Sequence, residues 1–325
     1  MRIALFNDTS PTLHHGCNLV MTNLTNLLAK HASEPCLFWP VASDWSPFEA
    51  RLRSMSLDAI VVNGEGSIHT VDSRPRARQL LGLSRFAKEL GVPSFLVNSS
   101  LFNLDDQAFE ALNSFSKILV RESRSKEYLE KNGINCEIAP DLSMVDLSFR
   151  PEACGERTTK LATDSVFPSY SREIKAFADK HSFVFESMQR KPTWLEKRRK
   201  KIKKSLGVFP ATRLYKPTSD FHSFLKRIGE AQLVVTGRFH TVTLCLLTST
   251  PFIAVESNTP KISALVGDCL GDDERVVSLE RLKNLSAGDL ERLSRFSEAE
   301  HASINEFLYA GTNSANSFFS RMFGF

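Results

Sequence analysis

The chain has 325 residues, 42% of them hydrophobic, and a formal net charge of +4. That length suggests two domains, and so small a net charge excludes a whole-molecule field that would select nucleic acid or another polyanion. Its six cysteines form no CxxC pair, which excludes a zinc ribbon or thioredoxin-type motif and fits a reduced, cytosolic compartment.

The opening residues Met1-Arg-Ile-Ala-Leu-Phe-Asn-Asp turn polar too soon for a signal peptide. No apolar run approaches the ~20 residues that span a bilayer. Residues 3–6 read as a strand, and residues 7–18 as a polar loop holding Asp8, His14, His15 and Gly16. Residues 19–30 carry Leu19, Leu24, Leu27 and Leu28 as the apolar set of a helix. The loop thus joins a strand end to a helix start, the edge at which α/β sheets bind ligands. His14 and His15 are adjacent and point apart on an extended chain, so they do not read as a metal pair. A single acid–base histidine, assigned to His15, is the functional reading; solvated loop histidines are the structural one.

Residues 36–39 form a second predicted strand, residues 46–55 a helix, and residues 59–62 a strand that ends in Asn63-Gly-Glu-Gly-Ser-Ile-His69. Gly64 and Gly66 around Glu65 permit a tight turn and close approach of a ligand to the backbone. The third glycine of a dinucleotide fingerprint is missing. Helices at 76–90, 105–114 and 125–132 then alternate with strands at 94–98, 117–120 and 136–139, as in a doubly wound α/β domain. Asp8, Gly64 to Gly66, Asn98, Arg121 and Asp141 all fall at strand ends, which predicts one shared cleft.

Residues 148–159, with Pro151 and Gly155, read as a linker between domains at 1–150 and 151–325. Strands at 160–163 and 183–185 flank a helix at 171–181. Residues 191–208 are strongly basic, with seven Lys or Arg between Lys197 and Lys204 and with Trp194, Leu195, Ile202, Leu206 and Val208 interspersed. A solvated helix face is one reading; a contact of Trp194 to Phe209 with an anionic inner-membrane surface is the other. No nucleic-acid recognition motif accompanies the charge.

A helix at 220–228 leads into Leu233-Val-Val235, Gly237, a helix from His240, and the apolar run 252–255, together a βαβ unit. Arg238, His240 and Thr241 lie at its strand-to-helix turn, where free N–H groups and a guanidinium fork suit carboxylate or phosphate. The competing structural reading pairs Arg238 with a nearby carboxylate and makes His240 a helix cap. Glu256 and Lys261 follow, then a helix at 262–266 and a strand at 275–278. One helix is expected from a Ser286 cap through Glu306. A last one at 314–323 carries Phe318, Phe319, Met322 and Phe323, apolar residues suited to packing on the first domain.

The ordered set Gly64-Glu-Gly66, Arg121-Glu-Ser123, Pro140-Asp141, Gly237-Arg-Phe-His240 and Thr250-Pro-Phe, with Lys261 downstream, resembles the polysaccharide pyruvyl transferase family. The Gly-Arg-x-His turn before a Pro-led strand is the most specific part. Where the family's opening loop carries Gly-Asn-x-Gly-Asp, this chain has His14-His-Gly-Cys-Asn18. The resemblance implies two Rossmann-like doubly wound domains facing a cleft, as in B-type glycosyltransferases, with the donor in the C-terminal one. It implies transfer of a pyruvyl group from phosphoenolpyruvate to sugar hydroxyls of a bacterial surface polysaccharide or its lipid-linked precursor. The substrate-binding candidates are then Arg238, Arg121, Gly64, Glu65, Gly66, Thr241, Glu256 and Lys261. His240, Asp141 and His15 are the candidates for moving protons. No metal constellation is evident and no cofactor is expected. A B-type glycosyltransferase using a sugar nucleotide, with Glu256 on the ribose, is the alternative. A third reading is a non-catalytic scaffold of the same fold.

Overall fold

The computed structural model describes residues 1–150 and 157–323. The first sheet contains β1 (Ile3–Asp8), β2 (Leu37–Pro40), β3 (Ala59–Glu65), β4 (Ser94–Ser99), β5 (Lys117–Val120) and β6 (Glu137–Ile138), in the order β2-β1-β3-β4-β5-β6. Every pairing is parallel. Strand period two sends Ala4, Phe6, Ile60, Val62 and Leu96 to one face and Ile3, Leu5, Val61, Phe95 and Val97 to the other. Both faces are buried, which is why these strands read as continuous apolar runs. The helices of this half are α1 (His15–His31), α2 (Glu49–Arg53), α3 (Pro75–Leu90), α4 (Asp106–Asn113) and α5 (Ser123–Lys131).

The second sheet contains β7 (Thr159–Ser165), β8 (Val184–Glu186), β9 (Ala231–Gly237), β10 (Phe252–Val255) and β11 (Val276–Val277), all parallel, in the order β11-β10-β9-β7-β8. Its helices are α6 (Pro168–His181), α7 (Trp194–Ser205), α8 (Phe221–Glu230), α9 (Phe239–Leu247), α10 (Lys261–Leu270), α11 (Leu279–Lys283) and α12 (Ala287–Leu293). A last helix, α13, runs Glu298–Met322. Helices α6, α11 and α12 cover one face, and α8, α9, α10 and part of α13 the other. Strand order reverses between β1 and β3 in one sheet and between β7 and β9 in the other. At such switch points successive loops diverge and leave a crevice.

Three expectations change. Helix α1 begins at His15 rather than Leu19, with the His14 side chain accepting from the Cys17 backbone N–H. Ahead of it, the polar loop residues Asn7, Asp8, Thr9 and Ser10 are buried. The helix expected across 286–306 ends at Leu293, because Ser297 and Glu300 form a new capping box that starts α13. Helix α13 absorbs the separate helix expected at 314–323. At 25 residues it is about 37 Å long. Ile304 and Leu308 pack in the second domain, and Ala315, Phe318, Phe319 and Met322 in the first. Between them Gly311 meets Pro140, where a Cβ would lie 2.3 Å from Pro140 Cγ.

Residues 206–215 also return to the first domain. Phe209 packs edge-on against Trp39 and Phe48, with the Arg51 guanidinium 3.9 Å from its ring centroid. Thr212 and Phe38 exchange both backbone hydrogen bonds, which covers the edge strand β2. The expected linker residues Pro151 and Gly155, and with them the 150/151 boundary, fall at or outside the described residues.

Candidate active site

The first turns of α1 and α9 meet head-on at the seam between the two sheets. Gly16 makes this possible, since a Cβ there would lie 2.3 Å from His240 Cβ. The His14 ring sits edge-on to His240 at 5.2 Å. Cys17 Sγ lies 3.9 Å from His240 Nδ1 and donates to Glu65 Oε2 at 3.2 Å. Glu65 has a φ of 41°, a left-handed conformation in a non-glycine residue. Its Oε1 accepts from Thr9 Oγ1 at 2.5 Å and from Asn63 Nδ2 at 3.0 Å. On the opposite edge of the His240 ring, Nε2 lies 3.7 Å from Asp141 Oδ2.

Asp141 ties this histidine to an arginine. Its Oδ2 accepts from Arg121 Nη1 at 2.6 Å, and its Oδ1 accepts from the Ser143 backbone N–H at 3.0 Å. Arg121 Nε donates to Ser100 Oγ at 2.8 Å, and the guanidinium lies 4.1 Å from the Phe239 ring centroid. Burial alone would raise the Asp141 pKa. The fields of His240 and Arg121, with hydrogen bonds from His240 and Ser143, outweigh it and hold the carboxyl well below its usual range. Asp141 is therefore a fixed anion in the seam. Burial, then the charge of Glu65, pushes the Cys17 thiol well up, so it keeps its proton. Burial, then the neighbouring His240 and Arg238, holds His14 well down and neutral.

A second cationic group stands beside the first. A Cβ on Gly66 would lie 3.3 Å from Lys261 Nζ and 3.5 Å from Arg121 Nη2, so glycine lets the two cations converge on one spot. Lys261 Nζ donates to Asn258 Oδ1 at 3.0 Å, and among the described residues no carboxylate forms an ion pair with it. Burial, then Arg121, lowers its pKa to about 7; Arg74 adds to this, while Glu256 and Glu65 oppose it. His69 is driven to about 4 by burial, then by Arg74 and Lys261. Two cavities open on this spot. One of about 350 Å³ is lined by Phe6, Trp39, Trp45, Gly66, Ser67 and Arg74; the other, about 260 Å³, includes Ser100, Glu122, Pro260 and Lys261.

Of the residues singled out from the sequence, the structure brings Arg121, Asp141, His240, Glu65, Gly66 and Lys261 together. Others are engaged elsewhere. His15 stacks on Phe224 at 4.5 Å, and its neighbour His14 is the one facing His240. Arg238 gives Nε and Nη2 to the two Asp164 oxygens at 3.0 and 2.7 Å. Asp164 also accepts from the Met188 backbone and Ser187 Oγ, so the pair fastens the loop after β8. Thr241 is buried against Thr163 at 3.1 Å. Glu256 accepts the backbone N–H groups of Ile262 and Ser263 and so caps α10. Gly64 clears the Ser99 side chain, which a Cβ would meet at 2.4 Å. The sequence reading named His14 among the loop histidines but chose His15, and it missed Cys17 and Arg74. The signal for His14 and Cys17 was their three-residue spacing, which shares one face only once the helix starts at His15.

Two parallel-sheet α/β domains meeting at a cleft define the architecture of B-type glycosyltransferases. The fold matches UDP-GlcNAc 2-epimerase from Neisseria meningitidis bound to UDP-GlcNAc, with a TM-score of 0.54, 12% identity and 98% of each chain covered. It matches the Methanocaldococcus jannaschii UDP-GlcNAc 2-epimerase in complex with UDP-GlcNAc and UDP at a TM-score of 0.55 and 11% identity, covering 95% of this chain and 100% of that one. Trehalose 6-phosphate synthase from Burkholderia multivorans follows at a TM-score of 0.50 and 12% identity, covering 94% and 82%. No functionally curated protein matches at a significant level. The family profile for polysaccharide pyruvyl transferase matches residues 14–259, so the chain belongs to that family of transferases.

Arg238→Lys keeps the charge and loses the planar fork on Asp164. Loss of one charge-assisted contact removes about 1.5 to 3 kcal/mol, so the melting temperature should fall by several degrees. An unchanged melting temperature, read by calorimetry, would mean that the Asp164 pair does not hold the fold.

Proposed function

We propose that this chain transfers a pyruvyl group from phosphoenolpyruvate to a sugar of a bacterial surface polysaccharide or its lipid-linked precursor. The convergence of Arg121 and Lys261 around Gly66, with Arg74 nearby, carries the reading. Phosphoenolpyruvate bears a phosphate and a carboxylate, and the Arg121 Nη2 left beside the Lys261 ammonium gives each a cationic donor. Transfer needs a proton delivered to the methylene carbon as one sugar hydroxyl adds at the adjacent carbon. A second hydroxyl then displaces phosphate, giving the ketal. The His240–Asp141 pair adjoins Arg121, whose Nη1 donates to Asp141 at 2.6 Å, and is suited to carrying those protons. The larger cavity, with Trp39 and Trp45 in its wall, offers apolar surface to a sugar ring.

The glycosyltransferase reading needs base and ribose contacts in the second domain, for which Glu256 is the candidate. That carboxylate accepts the Ile262 and Ser263 backbone N–H groups at the start of α10. Among the described residues no helix is long and apolar enough to cross a membrane. A lipid-linked acceptor would instead be met at α7, where Trp194, Leu195, Ile202, Leu206 and Val208 are exposed among the basic residues. Phe209 is excluded from that face because it packs on Trp39. Each Lys or Arg near an anionic surface contributes on the order of 1 kcal/mol. Sedimentation with anionic vesicles should be strong at low salt and lost at high salt. Equal behaviour with neutral vesicles, or no binding, would leave α7 a solvated face.

Donor binding should depend on pH through Lys261. Only the ammonium attracts the donor, so affinity is full below pH 7 and falls above it by up to about tenfold per pH unit. Lys261→Met should lose about ten- to a hundredfold in affinity at pH 7 and lose this alkaline dependence. Titration calorimetry on both proteins reads the difference. Stabilisation by UDP-sugars with none by phosphoenolpyruvate would sink the pyruvyl reading in favour of glycosyl transfer.

A further inference from the structure

Three side chains able to ligate soft metals meet where the two domains touch. His14 and Cys17 come from the start of α1 and His240 from the start of α9, and their ligand atoms all lie within 4.8 Å of one another. A tetrahedral zinc ion, with arms of about 2.0 Å to nitrogen and 2.3 Å to sulfur, holds its ligand atoms roughly 3.5 Å apart. Cys17 Sγ and His240 Nδ1 are already 3.9 Å apart, so side-chain shifts of about an ångström would close the set.

Surrounding groups suit an ion as well. The His240 nitrogen turned away from Cys17 faces Asp141 at 3.7 Å, and a carboxylate behind a metal-bound imidazole fixes its orientation and basicity. Glu65 Oε2 stands 3.2 Å from the Cys17 sulfur and brings negative charge beside it. Among the described residues His14 Nδ1 accepts one long hydrogen bond, 3.4 Å from the Cys17 N–H, readily exchanged for a metal. Cys17 and His240 are each only 8% exposed, so both are held in place by packing. The imidazole and thiol come from His14-His-Gly-Cys-Asn18, the loop in which this chain departs from the family's Gly-Asn-x-Gly-Asp pattern.

We propose that His14, Cys17 and His240 bind a soft divalent transition-metal ion of the zinc class as three protein ligands, leaving a fourth position for a water. As the sulfur–metal bond forms, the thiol proton passes to solvent and no electrons are exchanged. The ion uses the Nδ1 edge of His240, while the Nε2 edge faces Asp141. Because α1 and α9 belong to different domains, the ion also clamps the seam.

Cobalt is the probe, since its thiolate complexes absorb in the near ultraviolet. The full chain, stripped with a chelator and titrated with Co²⁺, should take up one ion with a thiolate charge-transfer band that Zn²⁺ displaces. Cys17→Ser should abolish the band, and His14→Asn should weaken binding by at least about tenfold. Cys36→Ser should leave both unchanged. On the unmutated chain, Zn²⁺ should raise the melting temperature in a concentration-dependent way that excess chelator reverses, a readout that does not depend on any variant folding. Absence of a stoichiometric ion, a band that survives Cys17→Ser, or a melting temperature unaffected by Zn²⁺ would overturn the proposal. None of these readings depends on pyruvyl transfer, so failure here is separable from failure of the proposed reaction.

Discussion

The seam depends on one buried carboxylate. Asp141 is 0% exposed, and its oxygens serve Arg121 from the end of β5, the Ser143 backbone, and the edge of His240 on α9. Its neighbour Pro140 touches Gly311 in the middle of α13, the helix that spans both cores. An unpaired buried anion would be costly, and removing one partner of such a pair typically costs about 3 to 5 kcal/mol. The two domains are thus held in a geometry that keeps Asp141 satisfied. The same geometry presents Arg121, with one nitrogen still turned toward Gly66, to the cleft.

Charge separates the seam into two halves. Around Asp141 and Glu65 the balance is negative, and the imidazoles and thiol of His14, Cys17 and His240 gather there. Around Gly66 the balance is positive, with Arg121 and Lys261 meeting where a Cβ would crowd the Lys261 amine at 3.3 Å. An anionic donor belongs in the second half and proton or cation chemistry in the first. Lys261 is the sensitive element, because burial and its cationic neighbours bring its pKa to about 7. An approaching dianion reverses that pressure and recharges it.

Much of the fold was legible because parallel strands covered on both faces are written as unbroken apolar runs. Leu233-Val-Val235 and Phe252-Ile-Ala-Val255 are the plainest cases. The site was legible where a residue sits directly on a strand end, as Arg121 and Asp141 do. It was less so where the helix phase mattered. Placing the start of α1 at Leu19 left His14 and Cys17 in a loop, and chose His15, whose ring lies against Phe224. Arg238 illustrates another limit, since nothing local reveals that Asp164, 74 residues away in sequence, takes its fork. The return of residues 206–215 to the edge of β2 is likewise non-local, set by Phe209 and by the backbone of Thr212.

The account stands on where the donor binds. A crystal structure of the chain soaked with phosphoenolpyruvate tests this directly. The phosphate and carboxylate should lie on Arg121 Nη2 and Lys261 Nζ beside Gly66, with the methylene carbon turned toward His240. Density at Arg238 and the start of α9 alone, with the Gly66 pocket empty, would contradict it.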